Sequence, residues 1–348
     1  MFHDGIHRPQ DKQAAHGRHH GAGLRRRGDR RAGRRVAMTD KNDDGQGPNL
    51  KTRLHAWWEG YDLSGKKKGR KDEAPPPPPE PPSGPGPGIN RWGKPLWTAT
   101  RIEVAEKLWG EGFNTPGGAD HIPYLVKPLG LNPAMSVLDL AAGLGGTSRT
   151  MAGKYGCWVT GLEASDLMAK EGMVRSFKAG LEKKAPVETF NPEHFGYPKR
   201  VDAIVYKEGL FSVRDKEQMF DGMEIVLKPR GHLLITDYIA EADKIGAKAI
   251  QSWCDKEPMQ PHLWDKERMA NAFAQRNLDL RISEDISDTH RNLILVAIQG
   301  LVEHLEKHHL DVPTKLAVME EVEMWVRRVA AIEAGMRVFR FYAIKPAE

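Results

Sequence analysis

Val137-Leu138-Asp139-Leu140-Ala141-Ala142-Gly143-Leu144-Gly145-Gly146-Thr147 is an apolar run, an acid and then a loop of small residues, with a helical pattern from Ser148 to Lys154 behind it. Strand, glycine loop and helix in this order form the ligand-binding unit of doubly wound α/β folds. Glycines let the backbone approach a ligand without a Cβ in the way. The helix start behind them offers unpaired N–H groups. A second apolar run, Trp158 to Leu162, ends in Glu163. An acid at the tip of the second strand is placed to accept hydrogen bonds from both hydroxyls of a ribose.

A dinucleotide fingerprint reads G-x-G-x-x-G, and its loop holds a pyrophosphate. Here Gly143-x-Gly145 is followed by Ser148 where the third glycine belongs. Asp139 stands just ahead of the loop, where a carboxylate repels a pyrophosphate but suits the ammonium of an amino-acid tail. S-adenosylmethionine carries that ammonium and a ribose, and no phosphate. The pattern D-x-[GA]-x-G-x-G, with an acid after the next strand, resembles the first two motifs of class I S-adenosylmethionine-dependent methyltransferases, with Ala141 in place of the first glycine.

Outward from this stretch, the strands and helices alternate. Strands are expected at Val187–Phe190, Val201–Tyr206 and His232–Tyr238. Helices are expected at Ser165–Leu181 and Arg214–Leu227, the latter stopped by Pro229-Arg230-Gly231. Alternation of this kind predicts a parallel sheet with helices on both faces. Further helices (Ala247–Cys254, Lys266–Arg276, Arg291–Lys307, Pro313–Ala334) surround a strand at Leu278–Ile286, and Val338–Ile344 closes the chain as an alternating strand. The expected fold is thus α/β, a doubly wound and mostly parallel sheet with a C-terminal antiparallel strand and helical additions. Upstream, Thr100-x-x-Glu103 reads as a capping box. It opens a helix that Gly110 stops; a loop from Gly110 to Gly118 with too many glycines to be passive follows, and then a short helix from His121 to Leu129. His304 and His308 are spaced i, i+4 but lack the Glu context of a zinc helix, so no metal is expected.

Four segments are expected: a disordered basic tail over 1–48, a short amphipathic helix over 49–62, a basic and proline-rich linker over 63–89, and one domain over 90–348. Residues 1–71 hold 18 Lys and Arg against 8 Asp and Glu, leaving 34 against 39 for the rest. The net +5 therefore belongs to the tail. A nucleic-acid enzyme carries its positive field on the folded body, which argues against DNA or RNA as substrate. Leu50, Leu54, Trp57, Trp58 and Tyr61 fall at helical spacing beside Lys51 and Arg53. Such a face suits a protein or a membrane surface. No apolar run reaches the roughly 20 residues a membrane span needs. With two cysteines, Cys157 and Cys254, and no secretory signal, a cytoplasmic location is expected.

Trp109-Gly110-Glu111-Gly112-Phe113 with Gly117-Gly118, the glycine motif, Leu234-Ile235-Thr236-Asp237-Tyr238 and the closing Phe341-x-Ala343-x-Lys345 together resemble the phosphoethanolamine (phosphobase) N-methyltransferases. The resemblance covers roughly Trp97 to Lys345. It implies that Thr115, Asp139, Ala141, Gly143, Gly145, Glu163, Ala164, Asn191 and Lys207 bind S-adenosylmethionine. The family's gating tyrosine and histidine fall on Trp97 and Ser212. Tyr238 matches a tyrosine that contacts the substrate phosphate, and its basic partner falls on Ala334. The implied function is methyl transfer to a small-molecule acceptor through nitrogen. The alternative is a cofactor-binding regulatory or scaffold module without catalysis, since both gating positions differ.

Overall fold

A computed structural model of the chain describes residues 88–305 and 310–347. The basic tail, the Leu50–Tyr61 segment, nearly all of the linker and His308 lie outside the described residues. Seven strands form one sheet: β1 (Ser136–Leu140), β2 (Trp158–Glu163), β3 (Val187–Thr189), β4 (Val201–Lys207), β5 (Leu227–Ala240), β6 (Asp279–Asp285) and β7 (Met336–Ile344). Their order is β3-β2-β1-β4-β5-β7-β6. The first five run parallel, and β7 lies antiparallel between β5 and β6. The chain thus winds one way from β1 and then crosses over to β4. The loops leaving β1 and β4 diverge, and that divergence opens a crevice above the carboxyl ends of the strands.

The core follows the two-residue strand period. Leu138 and Leu140, Ile204 and Tyr206, and Leu233 and Ile235 share one buried cluster with Phe220, Trp264, Phe273 and Phe341. Phe220 lies on α5 (Lys216–Val226), stacked on Trp264 and edge-on to Phe273 of α7 (Lys266–Gln275). The other sheet-flanking helices are α3 (Gly146–Tyr155) and α4 (Asp166–Lys178). Ser165 caps α4, its side chain accepting from the Met168 N–H.

Three local expectations are corrected. The cap of α1 (Ala99–Trp109) is Thr98, whose Oγ1 accepts from the Arg101 N–H at 3.2 Å; Thr100 and Glu103 already lie inside the helix. The helix expected to run to Leu227 ends at Val226, and Pro229-Arg230-Gly231, expected to stop it, lies inside β5. The tripeptide forms an irregular start to β5, because Leu227 pairs with Val201 while His232 pairs with Ala203. The expected helix from His121 begins earlier, as α2 (Gly118–Val126), and runs into a tight turn at Lys127–Leu129.

Two long helices, α8 (Ser287–Leu305) and α9 (Val312–Glu333), are inserted between β6 and β7. α9 packs on α1 and on α6 (Lys248–Lys256), with Trp325 edge-on to Trp109 at 4.7 Å. Among the described residues no helix is long and apolar enough to cross a membrane. Phe220 is fully buried, so Phe220→Ala should leave a cavity and cost about 3–5 kcal/mol of unfolding free energy, measured by urea titration.

Candidate functional site

The loop after β1 turns sharply. Ala141, Gly143 and Gly145 all have left-handed backbone, at φ 57°, 57° and 75°. A Cβ on Gly143 would run into the Asn114 side chain, and one on Gly145 would meet Val187 at 2.7 Å. The glycine-rich segment 110–118 therefore lies against the β1 loop, which explains its small residues. Ala141 has a Cβ and pays for the same conformation with strain. Glu208, just after β4, is likewise left-handed at φ 55°. Both residues wall the crevice, and backbone strain of this kind concentrates at functional sites.

The turn aims the Gly143 N–H at Glu163. One carboxylate oxygen of Glu163 accepts from Gly143 at 2.8 Å and the other from Ser165 N–H at 2.9 Å. Burial raises its pKa, while these N–H groups pull it down. Each oxygen keeps lone pairs, and the residue lines the cavity together with Thr115, Ala141 and Ala164. Asp139 sits deeper and is not among the lining residues. Its Oδ2 accepts from Ser148 Oγ at 2.6 Å, and burial pushes its pKa up to about 7 despite that bond. Asn191 caps the turn Pro192–His194, its side chain accepting from the Glu193 N–H, while its neighbours Phe190 and Pro192 reach the cavity.

At the end of β4, Lys207 Nζ donates to Glu208 Oε1 at 2.9 Å, to the Pro116 carbonyl at 3.2 Å and to Thr115 Oγ1. The other Glu208 oxygen meets the Tyr238 hydroxyl at 3.1 Å, and that hydroxyl meets His290 Nε2 at 2.9 Å. Burial alone would raise the Glu208 pKa, but the Lys207 charge, with His290 and Arg328, holds it at about 2. Burial pushes His290 down to about 4, so it is a neutral imidazole at pH 7.

Beyond Glu208 the cavity turns aromatic. Trp97, Phe211 and Trp325 wall it, and Ser212 closes one edge with its hydroxyl donating to the Gly209 carbonyl at 3.0 Å. The structure therefore brings Thr115, Ala141, Glu163, Ala164, Trp97 and Ser212 to one cavity. Gly143, Gly145, Asp139 and Lys207 support it from behind, and Tyr238 backs its wall, with its hydroxyl on Glu208 and its ring edge-on to Phe211.

Three residues escaped the sequence reading. Glu208 follows directly on Lys207, and an acid just past a parallel strand was the readable signal. His290 carries none, being one histidine on a long helix. The resemblance puts a basic partner at Ala334, which only caps α9. The buried base is Arg328, on the same helix face as Glu321 and Trp325, and its signal was a charge inside the run Met324 to Ala330. Ala334 lies about a turn and a half further along, past the wall of the cavity.

A family profile described as "Methyltransferase domain" matches residues 131–285. Phosphoethanolamine N-methyltransferase 1 of Zea mays is 32% identical over 69% of this chain and 47% of its own length. Phosphoethanolamine N-methyltransferase of Plasmodium falciparum is 29% identical over 61% of this chain and 79% of its own. The chain thus spans about half the length of the maize relative. A solved structure of Haemonchus contortus phosphoethanolamine N-methyltransferase 2, in complex with phosphomonomethylethanolamine and S-adenosylhomocysteine, superposes with a TM-score of 0.62. It shares 20% identity and covers 73% of this chain and 62% of that one. The sheet order and the inserted antiparallel strand are those of a class I methyltransferase fold.

A carboxyl whose pKa is raised in the fold stabilises below its ordinary value, near 3.8, and loses that contribution as pH climbs through about 7. Asp139→Asn removes the titration and keeps an acceptor for Ser148. The variant should therefore gain stability relative to the natural chain as pH rises from about 3.5 to about 8, values on either side of the shift from 3.8 to about 7, read from urea unfolding at the two ends.

Proposed function

We propose that this chain, which carries a methyltransferase domain and resembles the phosphoethanolamine N-methyltransferases, transfers a methyl group from S-adenosylmethionine to a small amine. One observation carries the reading. A single cavity runs from the buried Glu163 carboxylate, past Glu208, to the aromatic wall of Trp97, Phe211 and Trp325. A cofactor end and an acceptor end thus meet in one space.

The residues fit the cofactor. Glu163 keeps acceptor lone pairs toward the cavity for ribose hydroxyls, and Ala141 and Ala164 flank it with small side chains in the cavity wall. Glu163, Ala164 and the 141–145 loop would hold the nucleoside, and Thr115, Asp139 and Lys207 would serve the amino-acid tail. When bound, S-adenosylmethionine supplies a sulfonium methyl whose C–S bond breaks, with the electron pair left on sulfur, as a new N–C bond forms. The chain has little bond-making to do itself. Its part is to aim a neutral nitrogen and exclude water.

Glu208 is the group suited to the nitrogen. Held ionised at about 2 by Lys207, it is too weak a base to take an amine proton and strong as a counter-ion. It attracts the ammonium, orients the nitrogen by hydrogen bonding and stabilises the methylated cation. The amine proton leaves to solvent. Trp97 and Phe211 add ring faces that favour a cation by quadrupole attraction. This continuity of cofactor and acceptor ends favours catalysis over a module that only binds cofactor.

Further parts of the proposal rest on sequence. A cytoplasmic location follows from cysteine use, and nucleic acid is disfavoured by the acidic body. The Leu50–Tyr61 segment, outside the described residues, is a candidate contact with a protein or a membrane surface. Calorimetric titration with S-adenosylmethionine should detect binding. Glu163→Ala should weaken it by about 1–3 kcal/mol, since charge-assisted bonds are lost. Absence of binding by the natural chain would remove the reading.

A further inference from the structure

Tyr238 has one hydroxyl proton and two partners. Glu208 Oε2 lies 3.1 Å from the hydroxyl on one side, and His290 Nε2 lies 2.9 Å from it on the other. Glu208 is held ionised by Lys207 and can only accept. Burial outweighs the pull of Glu208 and keeps His290 neutral at pH 7, with a proton on one ring nitrogen. If the hydroxyl donated to His290, the bare oxygens of Tyr238 and Glu208 would face each other at 3.1 Å. If it donated to Glu208 while Nε2 carried no proton, two lone pairs would face each other at 2.9 Å. One arrangement puts a proton in both contacts. Tyr238 donates to Glu208, and His290, protonated on Nε2, donates to Tyr238. The same Nε2 lies 3.7 Å from Glu208 Oε2, close to the negative charge.

His290 is placed firmly. It sits in the first turn of α8, and β7 pins the start of that turn twice. The Ile286 N–H donates to the Val338 carbonyl at 2.9 Å, and Ser287 Oγ accepts from the Val338 N–H at 2.9 Å. The His290 ring stands edge-on to Tyr238 at 5.5 Å, and the Tyr238 ring stands edge-on to Phe211 in the cavity wall. Lys207 holds the other Glu208 oxygen, Oε1, at 2.9 Å. The carboxylate is thus gripped at both oxygens, and its remaining lone pairs serve the cavity it lines. A donor behind a donor strengthens the second bond, because linked hydrogen bonds polarise one another.

We propose that His290 is a positioning residue for the acceptor amine: its Nε2–H turns the Tyr238 hydroxyl onto Glu208 and so fixes the carboxylate that receives the nitrogen. His290 is not among the residues lining the cavity, and it acts through Tyr238. The inference rests on the methyl-transfer reading for what Glu208 receives, while the proton positions stand apart from it.

Proton–nitrogen NMR on the full chain with isotope-labelled histidine tests those positions at pH 7, the His290 signals being assigned by their loss in His290→Gln. Nε2 should carry the proton. A proton on Nδ1 alone, or on both nitrogens, overturns the inference. Tyr238→Phe removes only the hydroxyl and should shift the His290 nitrogens; unchanged shifts overturn the contact. Transfer is read as label passing from saturating methyl-labelled S-adenosylmethionine to the amine fraction of a dialysable metabolite extract. His290→Leu should slow it about tenfold, the size expected when a bond to a charged group is weakened. Affinity for S-adenosylmethionine, measured by calorimetry, should not change. His290→Gln, which offers an N–H at similar reach, should recover most of the rate, a rescue that a packing role would not give. A leucine variant at the natural rate, or a glutamine variant as slow as the leucine one, overturns the role. Tyr238→Phe replaces the leucine variant if that chain loses its circular dichroism signature. No transfer by the natural chain would remove the methyl-transfer reading, and the nitrogen signals alone would then support or overturn the placement of Glu208.

Discussion

Two backbone N–H groups, from Gly143 and Ser165, hold the Glu163 carboxylate at the end of β2, and the crevice is arranged around that grip. The Ala142 N–H bonds back to the Leu162 carbonyl at 3.0 Å, so the β1 loop is fastened to β2 before it turns. Turning the Gly143 N–H toward the acid then requires left-handed backbone at 141, 143 and 145. Small residues follow from that demand, and so does the close seat of the 110–118 loop on top. A carboxylate this buried would be expensive without these donors. The same two bonds thus fix the loop, keep the acid ionisable and leave its outer lone pairs to the cavity.

The acceptor end is built on a different rule, mutual neutralisation of buried charges. α9 presents Glu321, Met324, Trp325 and Arg328 along one face, and these residues meet Arg101 from α1 and Glu257 just past α6. Buried ion pairs are weak evidence for stability, because desolvation offsets their attraction. Their effect here is on placement: the guanidiniums of Arg101 and Arg328 lie over the rings of Trp97 and Trp325 and hold them against the chamber. Glu208 is the contrasting case. Its partner Lys207 is shared with Thr115 and Pro116, and the carboxylate stays open to the cavity.

Much of the cofactor end was legible in the sequence, because backbone geometry dictates residue type there. Left-handed turns select glycine, and the acid ending a strand has a fixed place in a parallel sheet. The parallel direction of β1 to β5 followed from the alternation of strands and helices, while the order of the strands came only with the structure. The start of β5 was misjudged for a local reason. Pro229-Arg230-Gly231 carries breaker chemistry, yet pairing of Leu227 with Val201 keeps the chain in the sheet. The acceptor end was less legible because its residues come together only in three dimensions. Glu257 and Arg328 are 71 positions apart, and Arg101 and Glu321 are 220 apart. No periodicity or spacing announces a pair at that distance. Gly110 to Gly118 stood out as too glycine-rich to be passive, and its contact with the β1 loop is the physical cause.

The central claim is that the cavity joins a methyl donor to a small amine. The most direct measurement uses S-adenosylmethionine labelled in its methyl group, the full chain and a dialysable extract of small metabolites. Chromatography of the products should show label in the amine fraction, dependent on the chain. Label found only in protein or RNA, or no transfer at all from bound donor, would contradict the account.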